Sequence, residues 1–213
     1  MHLITFLALG DSYTIGEGVS SDARWPVQLT TALRRHGMQI GVARIVACTG
    51  WTVGELLNAL QSANVRGAYD LVSLQVGVND QYRGYSLAPY RMEIRTLLDE
   101  AIELANGAAG KVMVISIPDW SVTPYAQGRD RQGVRREIES FNQVNQEEAY
   151  SAGAHYIDIT LASRLAGEDA SLLAADGLHP SAQMYALWVE IILPAALRIL
   201  DAAPANGAKA DEI

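Results

Sequence analysis

Five short runs rich in Val, Ile and Leu, separated by longer segments with apolar residues at helical spacing, constrain this chain more than any other feature. The runs fall at 4–9, 41–47, 71–76, 111–117 and, with the weakest pattern, 155–157; the helical segments fall at 25–35, 52–63, 87–104, 131–152 and 181–200. Val112-Met113-Val114-Ile115 is apolar without alternation, which suits a strand covered on both faces, as in a parallel sheet. Strands alternating with helices predict an α/β fold, a three-layer α/β/α sandwich on a five-stranded parallel sheet with helical crossovers. No internal repeat or second core is visible. Residues 1–200 therefore read as one domain, and 201–213, Ala-rich with Pro204 and Gly207, as a flexible tail. The mixed charges at 135–148 read as a solvated helix face.

Composition narrows the partners. With 49% hydrophobic and 19% charged residues the 213-residue chain has material for a core. Its net charge is −8, and no Lys/Arg run stands out, so neither a nucleic-acid backbone nor an anionic membrane surface is an expected partner. Cys48, the single cysteine, excludes an intrachain disulfide framework and a Cys-rich zinc site. No run approaches the ~18 consecutive apolar residues that mark a membrane span. The apolar start lacks a basic region and meets Gly10-Asp11-Ser12 at once, so it reads as a buried strand rather than a leader, and the expected compartment is the cytoplasm. Oligomeric state has no signature in the sequence.

Ligands of open α/β sheets bind beyond the carboxyl ends of the strands. Four segments lie there: Gly10-Asp11-Ser12-Tyr13, Cys48-Thr49-Gly50-Trp51-Thr52, Gly77-Val78-Asn79-Asp80, and Asp176-Gly177-Leu178-His179-Pro180 ahead of the last helix. Singly, each has an ordinary reading. Gly-Asp-Ser after a strand makes a turn and a helix cap; Gly50 is a loop glycine; Asn79-Asp80 is a turn; Asp176 and His179 are a capped loop pair or two metal ligands. Their convergence on one sheet edge is what points to a site.

Together, Gly10-Asp11-Ser12, Gly50, Gly77-x-Asn79-Asp80 and Asp176-x-x-His179 resemble the four blocks of the SGNH hydrolases, the GDSL-type esterases and lipases, in the family's order and across nearly the whole chain. Tyr13 stands where the name-giving Leu would be and is expected to shade substrate preference; the second block matches loosely, with Trp51 between Gly50 and Thr52. The resemblance implies a flavodoxin-like fold and a serine esterase without a cofactor or a metal, acting on small-molecule carboxylic esters, thioesters or sugar acetyl esters. Ser12 would be the nucleophile, His179 the general base and Asp176 the group that orients it. Ser12 N–H, Gly50 N–H and the Asn79 side chain would form the oxyanion hole. Pro180 would open the last helix. The absence of a long apolar lid favours short acyl chains.

Other residues have plainer roles. Asp11 is expected to bond nearby backbone N–H groups and Asp80 to brace the loop that presents Asn79. His2, His36 and His155 are surface or strand-edge residues, and Cys48 is a small apolar filler. Trp51 is a wall of the acyl pocket or a core residue. Tyr82 and Tyr85 in 81–90, with Trp120 and Tyr125 in 118–129, are the candidate substrate contacts. Rival functions are a metal-dependent phosphoesterase using Asp11, Asn79, Asp176 and His179, which offers too few converging ligands for two metals, and a non-catalytic ligand-binding α/β domain. No phosphate-binding glycine loop follows the first strand.

Overall fold

Strands that are apolar throughout need cover on both faces, and the helical segments supply it. The computed structural model describes residues 2–202. Its strands are β1 (Phe6–Gly10), β2 (Arg44–Ala47), β3 (Leu71–Gln75), β4 (Val112–Ile115) and β5 (His155–Ile157). They pair in parallel in the order β2-β1-β3-β4-β5, with Ala8 level with Ile45 on one side and Ser73 on the other. The three central strands are wholly buried, whereas the edge strands β2 and β5 are half-exposed. Burial explains why β1 and β4 read as apolar runs and β3 as one broken only by the buried Ser73 and Gln75, while the half-exposed β5 barely registers.

The helices are α1 (Ser12–Ile15), α2 (Trp25–Arg35), α3 (Val53–Ser62), α4 (Val78–Tyr82), α5 (Leu87–Leu104), α6 (Arg131–Ala152), α7 (Thr160–Ser163) and α8 (Ala182–Ala202). α2 packs with α8, while α3, α5 and α6 pack in succession as another group. The large side chains Trp25, Tyr90, Tyr185 and Trp188 are fully buried, and the buried Trp25 indole N–H donates to Gln75 Oε1 at 2.9 Å. α3 opens on a reciprocal capping box between Thr52 and Glu55. The short helices α1, α4 and α7 escape sequence reading because a helix of one turn is too brief to show a period.

Three expectations need correction. The 135–148 face is not simply solvated: Asn142, Asn145 and Glu148 are buried. Asn142 brackets Ile117 beyond the end of β4, its Oδ1 accepting from Ile117 N–H at 2.7 Å and its Nδ2 donating to Ile117 O at 2.9 Å. Glu148 pairs with Arg91 at 2.6 Å and Arg95 at 3.1 Å. Pro180 does not open α8; it bridges back to Leu173, and Ser181 caps the helix by accepting from Met184 N–H. The helix itself continues through Asp201 and Ala202, into the span expected to be a tail, and 203–213 lie outside the described residues.

α8 is also long and apolar enough, by length and composition, to cross a membrane. Its apolarity has a local explanation, since Met184, Tyr185, Trp188, Ile192, Ala196 and Ile199 form the face buried in the core.

Candidate active site

β1 ends at Gly10, where an added Cβ would collide with Thr14 Oγ1 and the Gln75 carbonyl, so the chain can turn this tightly only without a side chain. Asp11 then caps α1, its Oδ1 accepting from Tyr13 N–H at 3.0 Å. Ser12 is the first residue of that helix, so its N–H has no acceptor within it. Burial pushes the Asp11 carboxyl up to about 8, opposed by the Tyr13 N–H bond and reinforced by the nearby Asp80 charge. Asp11 is thus the local brace expected of it. Tyr13 packs beneath the site, its ring 5.6 Å from that of His179 and 6.2 Å from Trp188.

The segment from Ala174 to Ser181 closes on itself. Ala174 N–H donates to His179 O at 2.7 Å, Gly177 N–H to Ala174 O at 3.0 Å, and Ser181 N–H reaches Leu172 O at 2.9 Å. Inside this loop Asp176 Oδ1 accepts from both Leu178 N–H and His179 N–H, at 2.9 and 3.0 Å. Its other oxygen lies 2.6 Å from His179 Nδ1. Burial pushes the Asp176 carboxyl up, but the His179 bond and the two backbone N–H groups outweigh it and hold the group below the usual carboxylate range. Asp176 is therefore kept as an anion, facing one nitrogen of a nearly buried imidazole.

The opposite side is assembled from two segments. Gly50, at the turn after β2, adopts φ +88°, a left-handed conformation that favours glycine. Its neighbour Trp51 accepts from Asn79 Nδ2 at 2.9 Å. Asp80 is buried, and its Oδ2 accepts from Val53 N–H at 3.1 Å, so it ties α4 to the start of α3. Burial also pushes Asp80 up, to about 7, against the pull of the Val53 N–H. Arg83, just past α4, donates to Gly50 O at 2.8 Å.

Between the two sides lies a cleft of about 160 Å³ lined by Ser12, Gly50, Asn79 and His179, with Tyr13, Thr49, Val78 and Leu178 completing its inner surface. Tyr82, Trp120 and Tyr125 wall it. Tyr82 and Trp120 meet edge to face, as do Trp120 and Tyr125, with ring centroids 5.8 and 6.0 Å apart. Arg129 covers Tyr82 and Trp120 with its guanidinium, 4.7 and 5.5 Å from the ring centroids. The two loops singled out by their aromatics do meet at the cleft, but Trp51 and Tyr85 do not line it. Trp51 is half-buried against the core and contributes its carbonyl, while Tyr85 is exposed. Cys48 is exposed too, not a filler, because β2 is an edge strand.

Sequence reading missed Thr49, Val78, Leu178 and Arg83. The first three each adjoin a motif residue, which was the available signal; Arg83 lies within 81–90, the loop weighed for substrate choice, and was not read as a partner of Gly50. His2, His36 and His155 are exposed and away from the cleft lining, as expected. Among the described residues no three His, Cys, Asp or Glu side chains group in a way that could hold a metal ion. Of the phosphoesterase candidates, the two carboxylates are already engaged: Asp11 accepts from Tyr13 N–H, and Asp176 from its own loop and His179.

Comparison with known proteins bears on this arrangement. Residues 8–187 match the model of the GDSL-like Lipase/Acylhydrolase family. An arylesterase of Vibrio mimicus is 31% identical over 111 residues, 52% of this chain and 53% of that protein, so the match spans about half the length of that curated relative. Among solved structures, TesA superposes with a TM-score of 0.72 at 22% identity, covering 92% of this chain and 99% of that one. The esterase EstA from Pseudoalteromonas sp. gives 0.71 at 20% identity, with 92% and 98% covered. The acetylxylan esterase Axe2 from Geobacillus stearothermophilus gives 0.66 at 21%, with 94% and 96% covered. At these identities the structural likeness establishes the fold.

Proposed function

Since the chain belongs to the GDSL-like lipase/acylhydrolase family, whose model spans residues 8–187, we propose that it hydrolyses carboxylic esters through an acyl-enzyme on Ser12. Support comes chiefly from the 2.6 Å bond between His179 Nδ1 and Asp176 Oδ2 beside a cleft that Ser12 also lines. With Nδ1–H donating to the carboxylate, Nε2 is left as the proton acceptor. Ser12 Oγ attacks the carbonyl carbon while His179 Nε2 takes its proton. The imidazolium, stabilised by Asp176, returns that proton to the departing alcohol. Water then repeats the sequence on the acyl-serine and frees the acid.

The tetrahedral oxyanion is held by Ser12 N–H, Gly50 N–H and Asn79 Nδ2. The Asn79 amide has two N–H bonds and spends one on Trp51 O, which orients the other. The amide is required, since a carboxylate at 79 would repel the forming charge.

The acyl group is small. A cavity of about 150 Å³ takes one benzene ring, and the cleft here is about 160 Å³. An aromatic wall suits a compact apolar acyl or aryl group, in keeping with the arylesterase and acetylxylan esterase among the relatives.

A fluorophosphonate probe read by intact mass, with p-nitrophenyl acetate turnover alongside, tests the site. Wild type takes one label and turns over the ester; Ser12→Ala does neither. Labelling or turnover that survives in Ser12→Ala would remove Ser12 as nucleophile.

A further inference from the structure

Gly50 is the least supported of the proposed oxyanion donors. A Cβ placed on it would meet nothing within 4 Å, so no neighbour abuts that side of the residue, and its φ of +88° lies where glycine alone moves freely. The turn is instead held by hydrogen bonds. Thr49 Oγ1 bonds Glu17 and Trp51 N–H reaches Cys48 O at 3.3 Å. The two carbonyls that follow the donor are gripped from α4: Asn79 Nδ2 donates to Trp51 O at 2.9 Å and Arg83 Nη2 to Gly50 O at 2.8 Å. Positions 79 and 83 are one helical turn apart and share a face, and Arg83 N–H closes that turn onto Asn79 O at 3.0 Å. Consecutive carbonyls are thus held by side chains at i and i+4.

Arg83 is itself held. Its Nη1 lies 3.3 Å from Glu55 Oε1, while Glu55 Oε2 accepts from Thr52 N–H at 2.8 Å. The arginine therefore spans the turn from Gly50 to the first residues of α3. Its ion pair is 40% and 45% exposed at the two ends, and a pair so open to solvent adds little to stability. A planar guanidinium with several fixed donors suits what is observed, a bridge between a carbonyl and a carboxylate.

We propose that Arg83 is a positioning residue for catalysis: by holding Gly50 O it fixes the orientation in which Gly50 N–H meets the developing oxyanion. The inference rests on the oxyanion role given to Gly50 above. Arg83 does not line the cleft, so on this proposal its loss acts on the transition state and leaves ground-state binding alone.

The test compares Arg83→Met and Arg83→Lys with wild type on p-nitrophenyl acetate, together with inhibition by phenylboronic acid, which forms a tetrahedral adduct on an active serine. Losing a whole oxyanion donor costs roughly 10²–10³ in turnover. A donor left in place but loosened should cost about tenfold. Arg83→Met is expected to lower kcat about tenfold at unchanged KM, weaken the boronate about as much, and leave Tm in place. Arg83→Lys, whose single ammonium can reach Gly50 O without bridging to Glu55, is expected to recover part of kcat. Unchanged kcat, a change confined to KM, or loss of the native fold in both variants would overturn the inference. Ser12→Ala, run in parallel, separates the two proposals. Turnover surviving there refutes the serine site itself, whereas its loss there with unchanged kcat in Arg83→Met refutes only the role of Arg83.

Discussion

The two sides of the cleft are built on opposite plans. The His179 side is local: Asp176 binds the backbone and the ring of residues two and three positions on, within a loop that closes between Leu172 and Ser181. The Gly50 side is distributed. Its bonds join residues 28 and 33 positions apart, Trp51 to Asn79 and Gly50 to Arg83, across the whole of α3 and β3. A local device is specified by its own few residues and tolerates change elsewhere. A distributed one depends on the sheet holding two loops in register, and any side chain along the seam can loosen it.

The largest expected effect falls on the local side. In Asp176→Asn the new side chain still accepts from Leu178 and His179 N–H through its oxygen, so the loop folds, but its amide N–H₂ faces Nδ1 and favours the wrong imidazole tautomer. Turnover should fall roughly 10³–10⁴-fold with little change in Tm. A large drop in Tm would show that the loop needs the charge as well as the shape. Next comes Asn79→Asp, which removes the donor to Trp51 O and places an anion beside the forming one. Roughly 10²–10³-fold loss in kcat is expected for p-nitrophenyl acetate. Near-normal turnover would remove Asn79 from the site and leave the distributed side without its central residue.

The smallest effect is on stability, and it concerns the seam. Asp80 and Asp11 are buried with their carboxyls pushed up to about 7 and about 8 from an ordinary 3.8. Each binds its proton more tightly in the folded chain than in the unfolded one. Their stabilising contribution is complete below about pH 4 and is lost as pH rises through 7 and 8, with a slope of at most about 1.4 kcal/mol per pH unit for each group. Urea denaturation at pH 5 and pH 8.5 should find Asp80→Asn, which keeps an acceptor for Val53 N–H, losing less stability between the two than wild type. Equal losses would mean that Asp80 is already ionised in the folded protein.

This contrast also explains what could be read in the sequence. Asp176-x-x-His179 was legible because the chemistry and the spacing coincide, and the β1 turn was legible because Gly10, Asp11 and Ser12 are contiguous. The central strands announced themselves by being covered on both faces. Arg83 was visible only as a member of the 81–90 loop, because its partner Gly50 is defined only once β2 and β3 pair on either side of β1. The polar face of α6 misled for a related reason: Asn142 and Glu148 look solvated until Ile117, Arg91 and Arg95 arrive from other elements to satisfy them. Likewise Trp51 and Tyr85 are aromatic and beside the motifs, yet of the five aromatics expected as substrate contacts Tyr82, Trp120 and Tyr125 reach the cleft and these two do not, since a loop's direction is set by what it packs on.

The position of α8 carries a consequence for how the molecule is made. β1, an inner strand of the sheet, and α2 precede most of the chain, but the helix that packs with α2 consists of residues 182–202. Synthesis runs at roughly 5–20 residues per second, so about a hundred residues separate the emergence of Asn79 from that of His179 by several seconds. Throughout that interval the nascent chain carries Ser12 without His179, the base proposed for it, and α2 lacks the helix it packs with. The segment that carries His179 runs directly into the helix that packs with α2, so on the mechanism proposed above the acid–base pair is completed only as this layer closes.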